Sequence, residues 1–376
     1  MMKIMIVIDS FKGSMSSIEA GNAAKEGILR VRPEAEILVR PLADGGEGTT
    51  EALIEGLGGE KITLSVTGPM GEPVEAFYGI LRDGMTAVME MAQAAGITLV
   101  EESKRDPMKA TTYGVGEMIC DAIQRGCRKF IIGIGGSATN DGGLGMLKAL
   151  GVSFLTEGGD DVGEGAAALE KIHTIVTDQL LKEIGECDFQ IACDVNNPLC
   201  GTNGATYVYG GQKGVEKEEM PVIDGYMRHY AEKTREAFGV DHSEAAGAGA
   251  AGGMGFAFVS YLGGRLVPGI ELILDVIGFE QDVVDMDIVI TGEGRLDFQT
   301  AMGKAPVGVA KRAKKHGCRV LAFAGSVTAD AAECNQKGID AFFPIVRGVC
   351  TLEEAMENKN ARKNLADTVE QVFRLL

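Results

Sequence analysis

The chain has 376 residues, 45% of them hydrophobic, and a formal net charge of −18. That length predicts two domains, each able to bury its own core, and the negative charge argues against nucleic acid or an anionic membrane surface as a partner. No apolar run reaches the ~18 residues a membrane span needs. The eight cysteines form no C-x-x-C pair and read as reduced thiols of a cytoplasmic protein, and the four histidines are too scattered for a histidine-rich zinc site.

The opening run Met1-Met-Lys-Ile-Met-Ile-Val-Ile8 ends in Asp9-Ser-Phe-Lys12 where a signal peptide would have a small-residue cleavage site, so it predicts a first strand. Ser16-Ser-Ile-Glu19 is a capping box that opens a helix to about Val31. Glu36 to Val39 is a second strand, and Asp44-Gly-Gly-Glu-Gly48 leads into a helix ending near Leu57. This βαβα alternation is the grammar of a parallel sheet. From Lys61 the pattern changes to β-prone runs over 62–66, 74–81 and 86–91, separated by the turns Gly68-Pro-Met-Gly71 and Arg82-Asp-Gly84, which predict antiparallel pairing. Helices follow near 112–125 and 143–150, with a strand over 129–134 between them, and the glycine-rich stretches 156–165 and 244–255 predict loops.

After about Asp285 the alternation returns. Asp287 to Ile290 predicts a strand ending in the turn Thr291-Gly-Glu-Gly-Arg295. Pro306 sits in the first turn of a helix that closes with Lys314-Lys-His-Gly317, cations in the last turn and glycine beyond. A strand over Arg319–Phe323, a helix over Ala331–Lys337, a strand over Ala341–Val346 and a helical tail from Thr351 complete the chain. Neither end has enough strands to close a core alone. The expected fold is therefore α/β in two domains. Residues 1–66 plus 285–376 form one discontinuous, Rossmann-like, doubly wound parallel sheet, and residues 67–284 an inserted mixed α/β domain. An active site is expected in the cleft between them, at the carboxyl ends of the strands.

Glycine is the compositional outlier, with 53 residues, about twice the usual ~7% share. In Gly133-Ile-Gly-Gly-Ser-Ala-Thr-Asn-Asp-Gly-Gly143 an apolar strand runs into a glycine-rich turn and then a helix, an arrangement that aims backbone N–H groups at an anion. The dinucleotide pattern is met only loosely there and at Gly247-Ala-Gly-Ala-Ala-Gly252, and Gly303-Lys304 lacks the spacing of a Walker A motif. Asp194, past Gln190-Ile-Ala-Cys193, reads either as an Mg²⁺ ligand or base or as an Asx turn before Pro198. Gly292-Glu-Gly-Arg-Leu-Asp297 gathers three charged residues in what reads as one tight loop, with an arginine able to clamp carboxylate or phosphate.

Asp9-Ser-Phe-Lys-Gly-Ser14, Ala43-Asp-Gly-Gly-Glu-Gly-Thr49, the glycine turn at 135–143, Ala192-Cys-Asp-Val-Asn-Asn-Pro-Leu-Cys-Gly201, Gln212-Lys-Gly214, the run at 247–253 and above all Ile290-Thr-Gly-Glu-Gly-Arg-Leu-Asp-Phe-Gln-Thr-Ala-Met-Gly-Lys-Ala-Pro306 together resemble one family, the bacterial type I glycerate kinases. The resemblance spans nearly the whole chain. One departure is Gly210-Gly-Gln-Lys213, where the family pattern has a proline before the glutamine. The resemblance implies ATP-dependent phosphorylation of D-glycerate to 2-phosphoglycerate, with 3-phosphoglycerate as the alternative product. It also implies the cofactors ATP and Mg²⁺ and two α/β domains; the state is expected to be monomer or homodimer.

The residue roles are assigned on chemical grounds. Gly135, Gly136, Ser137, Thr139, Asn140, Gly142 and Lys304 are expected to hold the nucleotide, and Asp194 and Asp141 the metal. Asp194 or Asp44 is the expected base, Arg295 and Lys12 bind the transferring phosphoryl group or the glycerate carboxylate, and Ser10, Glu293 and Asp297 contact substrate. A non-catalytic sensor of a phosphorylated metabolite is the competing class.

Overall fold

The computed structural model describes every residue, Met1–Leu376, and contains two compact units. One comprises Met1–Asp44, Glu51–Gly58 and Ile270–Leu376, the other Gly45–Thr50 and Gly59–Gly269. The strands, in chain order, are β1 (Lys3–Ile8), β2 (Glu36–Pro41), β3 (Gly59–Thr67), β4 (Pro73–Leu81), β5 (Thr86–Glu90), β6 (Lys129–Gly133) and β7 (Ser153–Leu155). They continue with β8 (Thr174–Val176), β9 (Asp188–Ala192), β10 (Arg265–Val267), β11 (Ile288–Leu296), β12 (Arg319–Val327) and β13 (Ala341–Pro344).

The unit built from both chain ends holds a five-stranded sheet in the order β13-β12-β11-β1-β2, parallel throughout. Alternate residues of each strand face opposite sides. Ile4, Ile6 and Ile8 of β1 pack with Ile288 and Ile290 of β11 on the side covered by the helices Ser17–Leu29 and Asn358–Phe373, through Ala20, Ala24, Ile28, Leu365 and Phe373. Met5 and Val7 point the other way and are equally buried, while the helix Ala305–Lys315 packs on β11 and β12. Burial on both faces explains why these strands read as unbroken apolar runs. From β1 the chain proceeds to β2 on one side, and from β11 it steps through β12 to β13 on the other. The order therefore reverses between β1 and β11, which makes that pair the topological switch point of the sheet.

The second unit holds a six-stranded mixed sheet in the order β10-β9-β6-β5-β4-β3 and a small antiparallel pair, β7-β8. β3, β4 and β5 pair antiparallel, and β5, β6, β9 and β10 parallel. Its core gathers Tyr78, Phe130, Phe154, Phe189 and Phe256 with aliphatic residues of the helices.

Several local expectations are corrected. Residues 59–66 do not belong with the chain ends, because β3 pairs with β4 along its full length, from Gly59 opposite Leu81 to Thr67 opposite Pro73. Residues 270–284 do belong with them: Arg312 of the helix Ala305–Lys315 donates to Glu271 and Asp275, and a Cβ on Gly308 would stand 2.4 Å from Ile270. The segment Ala329–Lys337 is a 3₁₀-helix. The glycine-rich stretch near 250 is not all loop, for it opens the helix Ala250–Leu262 through left-handed residues at 251–253.

The crossing of the two terminal helices generates a prediction. A Cβ on Gly27 would lie 2.2 Å from the backbone oxygen of Ala366, whereas one on Gly225, exposed on the helix Met220–Phe238, meets nothing within 4 Å. Glycine to alanine in a helix ordinarily gains about 1 kcal/mol, but overpacking against fixed backbone costs about 1–3 kcal/mol. Gly27→Ala is expected to lower the denaturation midpoint and Gly225→Ala to raise it, measured by denaturant titration; a gain at both positions would contradict the close helix crossing.

Candidate active site

At the switch point the loops after β1 and β11 frame a cavity of about 470 Å³ in the terminal unit. Its walls are set by local geometry. The Asp9 N–H donates to the Gly292 carbonyl at 2.9 Å and so extends the β1–β11 ladder by one step. The chain then closes a tight turn, with Phe11 N donating to Met15 O at 3.0 Å and Gly13 in the left-handed region, which leaves Lys12 exposed at its tip. The capping box at Ser16 and Glu19, with both hydrogen bonds made, fixes where the following helix starts.

On the β11 side the expected loop is a strand. β11 runs on to Leu296 because β12 continues beside it, placing Glu293 opposite Ala324 and Arg295 opposite Ser326. Glu293 and Arg295, two residues apart, therefore share a face. The close packing here is made by Gly325 of β12, where a Cβ would stand 2.6 Å from the Gly294 oxygen, while a Cβ on Gly294 itself would meet only ordinary contacts at 3.8 Å and beyond. Asp297 caps the short helix Phe298–Ala301, its Oδ1 accepting from Gln299 N and Thr300 N, with Arg295 Nε 3.7 Å from its other oxygen. Asp297 thus has a structural role as a helix cap while also lining the cavity. Thr300 Oγ1 donates to Glu293, and Lys304 Nζ to Gln299 Oε1 at 2.9 Å.

Asp9, Ser10, Lys12, Asp44, Glu293, Arg295, Asp297 and Lys304 all line this cavity. Burial, with Asp44 and Glu293 adding to it, pushes the Asp9 carboxyl up to about 8, against the Ser10 N–H and Lys12. Burial also pushes Glu293 up to about 7, aided by Asp297 and Asp44 and opposed by Thr300 and Lys304. The site is an acidic cluster rimmed by three cations, in which Asp9 and Glu293 hold protons more tightly than free carboxyl groups do.

The glycine turn of the second unit is different from what its sequence suggested. Gly135 and Gly136 are exposed, but Ser137 and the residues through Gly143 are buried. Asp141 is wholly buried and accepts from Thr112 N, Thr112 Oγ1, Gly143 N and Gly145 N at 2.7–3.2 Å. An internal carboxylate thus fills the positive end of the helix Leu144–Ala149, and the Asp141 oxygens, expected to hold the metal, are engaged by four internal donors. Asn140 Nδ2 donates to Thr206 Oγ1, and Gly142 N to the Gly252 carbonyl. A Cβ on Gly252 would be 2.1 Å from the Thr139 oxygen. Much of the glycine content of both motifs lets two backbones touch. Thr139, Asn140 and Gly142 are packing residues, and of the expected nucleotide contacts on this turn only Gly135 and Gly136 are open.

Two buried charged residues were missed. Lys213 lies fully inside, donating from Nζ to Ser137 Oγ at 2.6 Å and to the Thr139 carbonyl at 2.7 Å, and burial pushes it down to about 7. Glu90, at the end of β5, accepts from Gly48 N and Thr50 N. The only sequence signal for Lys213 was a lysine set in a glycine-rich segment. Asp194 is exposed at the end of β9 and accepts from Gly269 N at 2.8 Å.

Comparison with known proteins decides the family. The glycerate kinase family model matches residues 4–376. The chain belongs to the glycerate kinase family. It is 46% identical to the glycerate kinase of Bacillus subtilis (strain 168), over 95% of this chain and 94% of that one. It is 43% identical to the glycerate 2-kinase of Escherichia coli (strain K12), over 98% of both. The crystal structure of a provisionally named glycerate kinase 2 from Salmonella typhimurium LT2 superposes with a TM-score of 0.92 at 44% identity, covering 100% of this chain and 98% of that one. The chain is a kinase of this family with a mixed α/β fold, and no helix is long and apolar enough to cross a membrane.

The acid cluster sets a pH dependence. The folded-state pKa of Asp9, about 8, lies above its ordinary 3.8, so the folded chain binds the proton more tightly and unfolding releases it between those values. Stability from this group is therefore complete at low pH and is lost as pH rises toward 8. Asp9→Asn keeps an acceptor for Ser10 N and removes the titration. The variant is expected to exceed the parent in stability at pH 8.5 by about 1–4 kcal/mol, since each tenfold change in proton affinity is worth about 1.36 kcal/mol, and to match it near pH 4.5. Equal differences at both pH values would show that Asp9 ionises normally.

Proposed function

We propose that this chain transfers the γ-phosphoryl group of ATP to D-glycerate and forms 2-phosphoglycerate. The observation that carries the reading is the switch-point cavity, in which Lys12, Arg295 and Lys304 stand beside Asp9, Asp44 and Glu293. Phosphoryl transfer needs cations to hold phosphate oxygens and a carboxylate to take a hydroxyl proton, and one cavity supplies both. The regiochemistry follows the glycerate 2-kinase relative; 3-phosphoglycerate is the alternative.

The hydroxyl oxygen of glycerate bonds to the γ-phosphorus, the bond from that phosphorus to the bridging oxygen breaks, and ADP departs. Glu293 takes the hydroxyl proton, since a proton affinity near neutrality lets it both accept and release. Lys12, Arg295 and Lys304 bind the phosphate oxygens, and the Ser10 hydroxyl orients glycerate. Asp44 lines the cavity, and in this scheme it holds the metal ion together with Asp9.

Magnesium fits the residues present: Asp44 and Glu293 raise the proton affinity of Asp9, and Asp44 that of Glu293, a conflict a cation relieves. His, Cys, Asp and Glu form no ready cluster of three in metal-holding geometry, so Asp9 and Asp44 would share the ion with phosphate oxygens, as is usual for magnesium in kinases. When bound it neutralises phosphate charge. All eight cysteines are free, which suits a reducing, cytoplasmic setting. The proposed assembly is a monomer or homodimer.

Addition of D-glycerate to the chain with ATP and Mg²⁺ is expected to release ADP, and phosphorus NMR to identify the 2-phosphate. The 3-phosphate would correct the regiochemistry, and no ADP release would remove the reading. Lys12→Ala is expected to lower kcat/KM by about 10²–10³-fold, the range for a preorganised charge-stabilising donor, with melting temperature unchanged because Lys12 is exposed.

A further inference from the structure

We propose that the cavity's apolar end seats the base of the nucleotide, so that the ligand lies across the carboxyl ends of the sheet with its base over β13 and β12 and its phosphates running toward β1. This rests on the reading of the chain as an ATP-dependent kinase and adds an orientation to it.

The lining changes character in the order of the strands. Ile345 and Val346 follow β13 directly, and Ile345 N donates to the Ala324 carbonyl of β12 at 2.8 Å, which fixes that wall. Leu352 and Met356, from the helix Leu352–Met356, add apolar lining, as does Phe11 of the turn after β1. The cavity's charged residues all come from elsewhere: the turn after β1, the end of β2, β11 and the segment that follows it. Passing from β13 to β2, the strand order brings Ile345 and Val346 first, then Glu293 and Arg295 of β11, then Asp9 and Lys12 after β1, and last Asp44 after β2. A nucleoside triphosphate with its acceptor beyond it has the same sequence of apolar ring, anionic chain and reacting hydroxyl. Three strand spacings of about 4.8 Å separate β13 from β1, about 14 Å in all, a span that an extended triphosphate can bridge.

The apolar wall is tied to the phosphate end. A Cβ on Gly13 would be 3.0 Å from Met356 Cε, so that side chain reaches the turn carrying Lys12, and Asn358 Nδ2 donates to the Ser14 carbonyl at 2.8 Å. Leu352 is 75% exposed and Met356 36%. Such apolar surface beside a cavity, with a polarizable thioether in it, suits a flat aromatic ring that covers it on binding.

The Leu352→Ala/Met356→Ala double variant is expected to raise KM for ATP about tenfold while KM for D-glycerate and the inhibition constant of inorganic tripolyphosphate, which has no base, stay within about twofold. The truncated side chains are partly exposed, so the fold should hold. An unchanged KM for ATP, or equal weakening of tripolyphosphate, would overturn the assignment. Photolabelling of the unaltered chain with 8-azido-ATP and Mg²⁺ needs no turnover and separates the two claims. Label within residues 345–356 supports the base seat even if no ADP is released with glycerate, an outcome that removes only the kinase reading. Label confined to other segments, or none, overturns the base seat even where ADP release is normal.

Discussion

The parallel pairing of β1 with β11, register Ile4 to Ile288, is the constraint from which the rest of the terminal unit follows. It joins strands whose partners lie 284 residues apart, so its closing entropy is met only by burial on both faces of the sheet. Because the chain departs from β1 and β11 in opposite directions, their carboxyl ends cannot be covered by the same crossover. The gap left there is where Asp9, Lys12, Glu293 and Arg295 converge.

That convergence sets folding against chemistry. Burial and neighbouring carboxylates raise the proton affinity of Asp9 and Glu293, and the exposed cations beside them are too well solvated to cancel this. A site that is uncomfortable without positive charge is one prepared for a ligand that brings it, and the tight turn at Phe11–Met15 and the cap at Asp297 hold the groups in place meanwhile. Preorganisation of this kind is what phosphoryl transfer asks of a protein.

What could be read in advance was what is local. The capping box at Ser16, the β-prone runs and turns of β3 to β5 and the proline at the start of Ala305–Lys315 are signals carried by a few adjacent residues, and all are present in the fold. What could not be read depends on a distant partner. β11 continues past Thr291 because β12 lies beside it, β3 joins whichever strand pairs with it, and nothing near Asp141 in the chain shows that its carboxylate turns inward to Thr112. Lys213 and Glu90 escaped notice for the same reason, since their partners lie 76 and 42 positions away. In the glycine motifs composition misled: an absent side chain leaves room equally for a phosphate or for another backbone.

The contact between those two motifs carries a wider consequence. Gly252 rests on Thr139 and Asn140, and Gly253 on Gly142, with no side chain between to absorb a change. A methyl group on Gly252 would meet the Thr139 main chain, and one on Gly253 the Gly142 Cα and the Leu199 side chain, whereas one on Gly142 would meet the Tyr230 ring. Two segments about a hundred residues apart are thereby held as one part, with main chain on one side and an aromatic wall on the other.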